Sequence, residues 1–394
     1  MCLCVDEHTV NFAYARLESE LSFERGNFMR RKSALIRAMF ALIAGVLTLV
    51  PVACSSNSEN YETQPPVVNN NIGRFGAAGS TFLAPLFSRW SSDYVKGHNM
   101  LVNYRPIGSG AALGELKRGI LDFAASDAPL TDNELKEMPP IIQVPVTGGP
   151  VCVIYNLADV SVPLRLSGRT LADIYSGKTK SWQDSAIARD NPGVKLPHAD
   201  IVVVHRMDGS GTTSIFTTYL SAASPSWSAK PGHGLTVDWP TGQGENGSSG
   251  VVAAVKATPG AIGYAELSYA KAAGLPVASI QNRAGEFIVP TPGSAALAIN
   301  AFQDALMKDD RSPVVDPPAT AKGAYPITGL SFILIPKDNA LPDEQRKFKD
   351  FMVYCLTDGQ NAAEEMSYTR LPAPILQHGQ ALLAQLTENG KPIT

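Results

Sequence analysis

From about residue 74 onward, short β-branched apolar runs alternate with longer amphipathic stretches. The pattern predicts strands over 101–104, 151–155, 201–205, 261–264 and 331–335. It predicts helices over 81–95, 111–119, 170–176, 212–221, 249–258, 293–307 and 343–355. Strand and helix in alternation give an α/β fold with largely parallel sheets. No repeat of fixed period runs through the chain. Two of the apolar strands, 151–155 and 331–335, lie far apart in sequence. Gly- and Pro-rich stretches lead into them, Thr147-Gly148-Gly149-Pro150 and Tyr325-Pro326-Ile327-Thr328-Gly329. Both are placed to cross between two lobes. On this reading residues 74–154 and 328–394 form lobe I and residues 155–327 form lobe II. The cleft between lobes is a usual place for a ligand and for hinge closure.

Before residue 74 the pattern changes. Met29-Arg30-Arg31-Lys32 and Arg37 precede an apolar run over 38–53, broken by Thr48 and followed by Ser55-Ser56-Asn57-Ser58. A basic region, an apolar run and a polar stop make a signal peptide over 29–54, with a short membrane anchor as the alternative. Residues 1–28 are acidic, lack an apolar run and read as an extension from a misassigned start at Met1. Cys54, after Val52-Ala53, resembles the lipobox cysteine of bacterial lipoproteins, although Pro51 stands where an aliphatic residue is usual. Lipidation at Cys54 would anchor the chain to a membrane; plain cleavage would release it. Residues 55–73, rich in Ser, Asn, Pro and Glu, read as a flexible tether.

Composition narrows the function. A chain of 394 residues suits two domains. Its 44% hydrophobic content excludes a disordered protein. With 18% charged residues, a net charge of -3 and no basic cluster in the body, it lacks the footprint of a nucleic-acid binder. An anionic partner would have to be attracted locally. Cys152 and Cys355 follow the apolar run; export would permit them to pair, and buried free thiols are the other reading.

Three segments share one device, a Gly/Ser/Thr turn leading into a helix. They are Gly79-Ser80-Thr81-Phe82, Gly108-Ser109-Gly110 and Asp208-Gly209-Ser210-Gly211-Thr212. A helix start offers free N–H groups and partial positive charge, glycine permits close approach, and hydroxyls add donors. Each alone is an ordinary helix cap; together they make an anion site. The loop at Gly209 lacks the Lys a nucleotide-binding loop requires. Arg206 stands ahead of it instead, able to present a fork to an oxyanion, with Asp208 near enough to hold it. A fourth segment, Asp122 to Leu130, puts a carboxylate, Asp127, among small and apolar residues. A carboxylate suits an anion site only if the anion carries a proton for it to accept. Phosphate keeps one near neutral pH, with a pKa of about 6 in its esters, and sulfate does not. Pairing of that kind can reject an analogue roughly 10⁴-fold.

These segments resemble the periplasmic phosphate-binding proteins of high-affinity phosphate ABC transporters, the PstS family. The likeness runs from Gly76-Ala77-Ala78-Gly79-Ser80-Thr81-Phe82-Leu83-Ala84-Pro85 through Tyr104-Arg105-Pro106-Ile107-Gly108-Ser109 and Phe123 to Leu130, then Arg206 to Thr212. It covers about residues 74–370, with further likeness at Pro259 to Tyr264 and Tyr325 to Gly329. Met207 and Gly110-Ala111-Ala112 depart from the family's usual residues. The resemblance implies the type II periplasmic-binding-protein fold, two α/β lobes with two hinge crossovers and an interlobe cleft. It implies phosphate contacts at Thr81, Phe82 (through its N–H), Ser109, Asp127, Arg206, Ser210, Gly211 and Thr212, with Asp208 holding Arg206. It further implies no cofactor, no metal and no nucleic acid. The partners would be inorganic phosphate and the permease subunits of an ABC transporter, engaged by a monomer at the cell envelope. A phosphatase would need a nucleophile with its base, or a metal cluster. The six His residues offer no metal-ligand spacing.

Overall fold

The computed structural model describes residues 73–393 except 99, 159, 161, 340 and 341. The extension, signal peptide, Cys54 and nearly all of the tether lie outside the described residues. The frame is an eight-stranded mixed sheet built from β1 (Gly73–Gly79), β2 (Met100–Arg105), β3 (Phe123–Ser126), β4 (Ile141–Tyr155), β5 (Val202–Arg206), β6 (Gln243–Glu245), β7 (Ala261–Glu266) and β8 (Thr328–Pro336). Their order across the sheet is β2-β1-β3-β8-β4-β7-β5-β6. The helices that bear on the site are α1 (Ala84–Val95), α2 (Ser109–Lys117), α3 (Gly211–Ala223), α4 (Gly247–Ala257) and α5 (Pro342–Leu356).

The strand β4 joins the lobes. Ile141–Pro145 and Thr147–Pro150 pair antiparallel with β8, and Val151–Tyr155 pair antiparallel with β7. On one side β1, β2 and β3 run parallel to one another, and on the other β5, β6 and β7 do the same. Crossover connections bury parallel strands on both faces, which is why they read as continuous apolar runs rather than alternating ones. The central β4, antiparallel to both of its neighbours, is covered on both faces as well: Val151, Val153 and Tyr155 enter a cluster with Trp182, Phe216 and Tyr264, while Cys152 and Ile154 enter another with Val204, Val251 and Val255. Lobe I is built alike. Phe75, Val144 and Ile333 pack on Phe87 and Trp90 of α1 and Phe351 of α5, and on the opposite face Ala78, Ala124 and Leu334 meet Leu113 and Leu116 of α2. The second crossover is the approach to β8, where Val151 N–H donates to Ile327 O at 2.8 Å and Tyr325 OH to Val151 O at 3.0 Å. This is the two-lobed periplasmic-binding-protein architecture.

Cys152 and Cys355 are free, buried thiols in separate clusters. Burial pushes both thiols well above their ordinary pKa. The helix expected from residue 81 starts at Ala84, because Thr81, Phe82 and Leu83 form a turn and Pro85 occupies the first helical turn. Thr81 and Phe82 therefore belong to a loop at the cleft.

Candidate functional site

Three helices begin at the line where the lobes meet: α2 from lobe I, α3 and α4 from lobe II. Ser210 caps α3, its Oγ accepting the N–H of Thr213 at 3.1 Å. Glycine is required at two points. Gly108 has φ of +87°, and a Cβ there would lie 2.5 Å from Asp208 Oδ2. A Cβ on Gly211 would come within 2.7 Å of Asp127. Without side chains at these positions the backbone of one lobe comes within hydrogen-bonding distance of the other. Gly110 N–H donates to Gly209 O at 2.9 Å, and Gly211 N–H donates to Ser109 Oγ at 3.2 Å.

On the lobe II side, Arg206 ends β5 with 2% of its surface exposed. Asp208 takes one edge of the guanidinium: Nε donates to Oδ1 at 2.6 Å and Nη2 donates to Oδ2. Nη1 is left facing the cleft, where it donates to Thr81 Oγ1 and Ser248 Oγ, both at 3.2 Å. Burial opposes the Arg206 charge, but the hydrogen bonds and charge of Asp208 outweigh it and raise its pKa. Burial likewise pushes Asp208 up. The fork from Arg206 and the Gly247 N–H, donated at 3.0 Å, prevail and hold its carboxyl below the usual range. A hollow of about 270 Å³, lined by Thr81, Pro106, Asp208, Gly247 and Tyr269 among others, opens beside this pair.

Across the cleft, Asp127 follows β3 and is 3% exposed. Ser331 Oγ donates to its Oδ1 at 2.7 Å and Ser80 Oγ donates to its Oδ2. Ser80 Oγ also accepts the N–H of Phe82 at 2.9 Å. Ser331 sits at a register shift between β8 and β4, the kind of bulge that re-aims a side chain. Burial pushes the Asp127 carboxyl up to about 7; the two serine hydroxyls and Arg206 pull it down, and the charge of Glu266 adds to the rise. Near neutral pH this group can accept a proton from a ligand or give one.

The nine residues singled out from the sequence gather where the lobes meet, in a network of short bonded groups rather than one continuous chain of bonds. Thr81, Arg206 and Asp208 are linked directly, Ser109 meets Gly211, Gly211 packs on Asp127, and Phe82 reaches Asp127 through Ser80. Two differ from the simplest reading. The Phe82 N–H is donated to Ser80, and Ser210 serves as a cap. Met207 is 61% exposed and displaces neither Arg206 nor Asp208. Other members of the network were not singled out: Ser80, Ser248, Glu266 and Ser331. Ser248 had a signal, since Asn246-Gly247-Ser248 is the same turn-into-helix device. Among the described residues no group of three His, Cys, Asp or Glu is placed to hold a metal ion.

Comparison with known proteins bears on the same stretch. A family model described as the PBP superfamily domain matches residues 64–358. The phosphate-binding protein PstS of Xylella fastidiosa (strain Temecula1) is 38% identical over 330 residues, 84% of this chain and 90% of its own length. The PstS of Pasteurella multocida is 40% identical over 77% of this chain and 88% of its own. That of Methanocaldococcus jannaschii is 34% identical over 88% and 96%. Among solved structures, a high-affinity periplasmic phosphate-binding protein (PfluDING) bound with phosphate superposes with a TM-score of 0.64 at 22% identity, covering 78% of this chain and 93% of that one. An ABC-type phosphate transport receptor from Vibrio cholerae gives 0.51 at 19% identity, covering 76% and 100%. The structures support the fold, and the identities show the kinship: this chain belongs to the PstS family of phosphate-binding proteins, within the PBP superfamily.

Proposed function

We propose that the protein binds inorganic phosphate in the cleft between its lobes and delivers it to the permease of an ABC transporter. The observation that carries this reading is the pairing of one buried arginine and three helix N-termini with one buried carboxylate that has no cationic side chain bonded to it. The cationic groups attract an oxyanion. Asp127 then selects an anion that can share a proton with it. On this reading Thr81, Phe82, Ser109, Asp127, Arg206, Ser210, Gly211 and Thr212 are the phosphate contacts, and Asp208 orients Arg206.

The same proposal places the protein outside the inner membrane, exported by residues 29–54 and held through a lipid on Cys54, as a monomer that turns nothing over. Lobe I would comprise 74–154 and 328–394, and lobe II 155–327. Donors of this kind, at about 1.5–3 kcal/mol each for charge-assisted bonds, are offset by desolvation and closure. A micromolar or tighter Kd, about −8 kcal/mol or better, is the expected balance. Equilibrium dialysis with labelled phosphate on protein stripped of carried-over anion should show one saturable site. Absence of saturable uptake would defeat the proposal, and hydrolysis of a chromogenic phosphate ester would replace it with an enzymatic one. Mass analysis of the envelope-bound form should find the lipid on Cys54.

A further inference from the structure

The network contains a second buried carboxylate. Glu266 ends β7 and is 1% exposed. Its Oε1 accepts the hydroxyl of Thr212 at 2.7 Å and that of Ser248 at 3.1 Å. Its Oε2 is buried with no hydrogen-bond partner among the described residues. The charged and titratable groups within electrostatic reach are Arg206 on β5, Asp127 after β3, Cys152 on β4, Tyr269 on the helix Leu267–Ala273, and Tyr368. A buried charge with an unpaired oxygen is costly.

A hydroxyl has one proton to donate. Thr212, in the first turn of α3, donates its hydroxyl hydrogen to Glu266 in a hydrogen bond. On the proposed function, a phosphate contact through the Thr212 hydroxyl requires the same hydrogen. If Thr212 simply turned to the ligand, Oε1 would lose its shorter bond, and two anions would face each other in a site shielded from water. A proton on Glu266 removes both difficulties. Its carboxyl O–H donates to Thr212 Oγ1, and Thr212 donates its own hydrogen to phosphate.

The geometry points to Glu266 as a proton-coupled positioning residue: phosphate binding brings one proton from solvent onto its carboxylate and so frees Thr212 for the ligand. One O–H bond forms on Glu266 and one bond to hydrogen breaks in the buffer acid that supplies the proton; Thr212 keeps its own hydrogen. The inference rests on the proposed phosphate site and deepens it.

The test is calorimetric titration of the purified protein with inorganic phosphate at pH 8, in two buffers of different ionisation enthalpy, which counts protons taken up per phosphate. Glu266→Gln is permanently neutral, and its amide can donate to Thr212. The expected result is a lower proton count in this variant than in wild type. Between pH 7 and 9 its affinity should fall less steeply, by about tenfold less per pH unit for a full proton. Should Glu266→Gln fail to fold, Glu266→Met, neutral and of similar size, gives the same readout, because it removes the titrating group and leaves the Thr212 hydroxyl free for phosphate. It should take up fewer protons than wild type. An unchanged proton count in either folded variant overturns the inference and leaves the phosphate site standing. No phosphate heat in wild type overturns both.

Discussion

Asp127 and Asp208 face one cleft from opposite lobes, and their surroundings drive them in opposite directions. Asp208 lies against the edge of a guanidinium and is held below the usual carboxylate range. Asp127 is more deeply buried, is bonded to two serine hydroxyls and is pushed up to about 7. One residue type thus does two jobs. A carboxylate with a full counterion fixes geometry and stays ionised; one without a bonded counterion is free to exchange a proton with what enters the cleft.

The largest effect on this contrast should come from removing the arginine. Arg206→Ala leaves Asp208 partly buried and unpaired, which typically costs about 3–5 kcal/mol, and should weaken phosphate binding by about 10² or more. Thermal melts and titration would read both. Next is the pH dependence of stability without ligand. Asp127 has a folded pKa of about 7 against about 3.9 when unfolded, so the folded form binds more protons between those values. Its contribution to stability is complete below about pH 4 and is lost as pH rises through 7, up to about 3–4 kcal/mol. Asp127→Asn should flatten that slope in a series of melts and exceed wild type above pH 7. Asp208 has the opposite sign: its support is present at neutral pH and is lost on acidification below the usual carboxylate range.

A smaller effect concerns selectivity. Protonated Asp127 can donate to a fully ionised anion, so competition by sulfate should grow about tenfold from pH 8 to pH 6 as the protonated fraction rises. Competition curves that do not move with pH would separate Asp127 from selectivity. Least affected should be Asp208→Asn, with phosphate affinity changed less than about threefold. Losing its hold on Arg206 weakens the clamp, while removing a negative charge beside the anion strengthens attraction.

Much of this was legible in the sequence because it rests on local rules. The apolar runs marked the buried strands, and Gly/Ser turns marked the helix starts that line the cleft. The full length of β4 was hidden, since Thr147-Gly148-Gly149-Pro150 has the composition of a turn. In the structure a Cβ on Gly148 would lie 2.7 Å from Gly329 O, and one on Gly149 would lie 3.0 Å from the Phe82 ring. These glycines serve close packing inside a strand. Ser331 and Glu266 were also out of reach. Ser331 lies inside the apolar strand β8 and Glu266 closes the small-residue strand β7, and what brings each to the site is a bulge or a partner from a distant helix. Such contacts have no local signature.

The proposed function makes Asp127 the group that recognises a protonated oxyanion. Calorimetry on wild type and Asp127→Asn at pH 8, titrating phosphate with and without excess sulfate, tests it most directly. Wild type should give an isotherm indifferent to sulfate, and sulfate should compete in the variant, with selectivity reduced at least tenfold. A variant that still excludes sulfate as wild type does would contradict it.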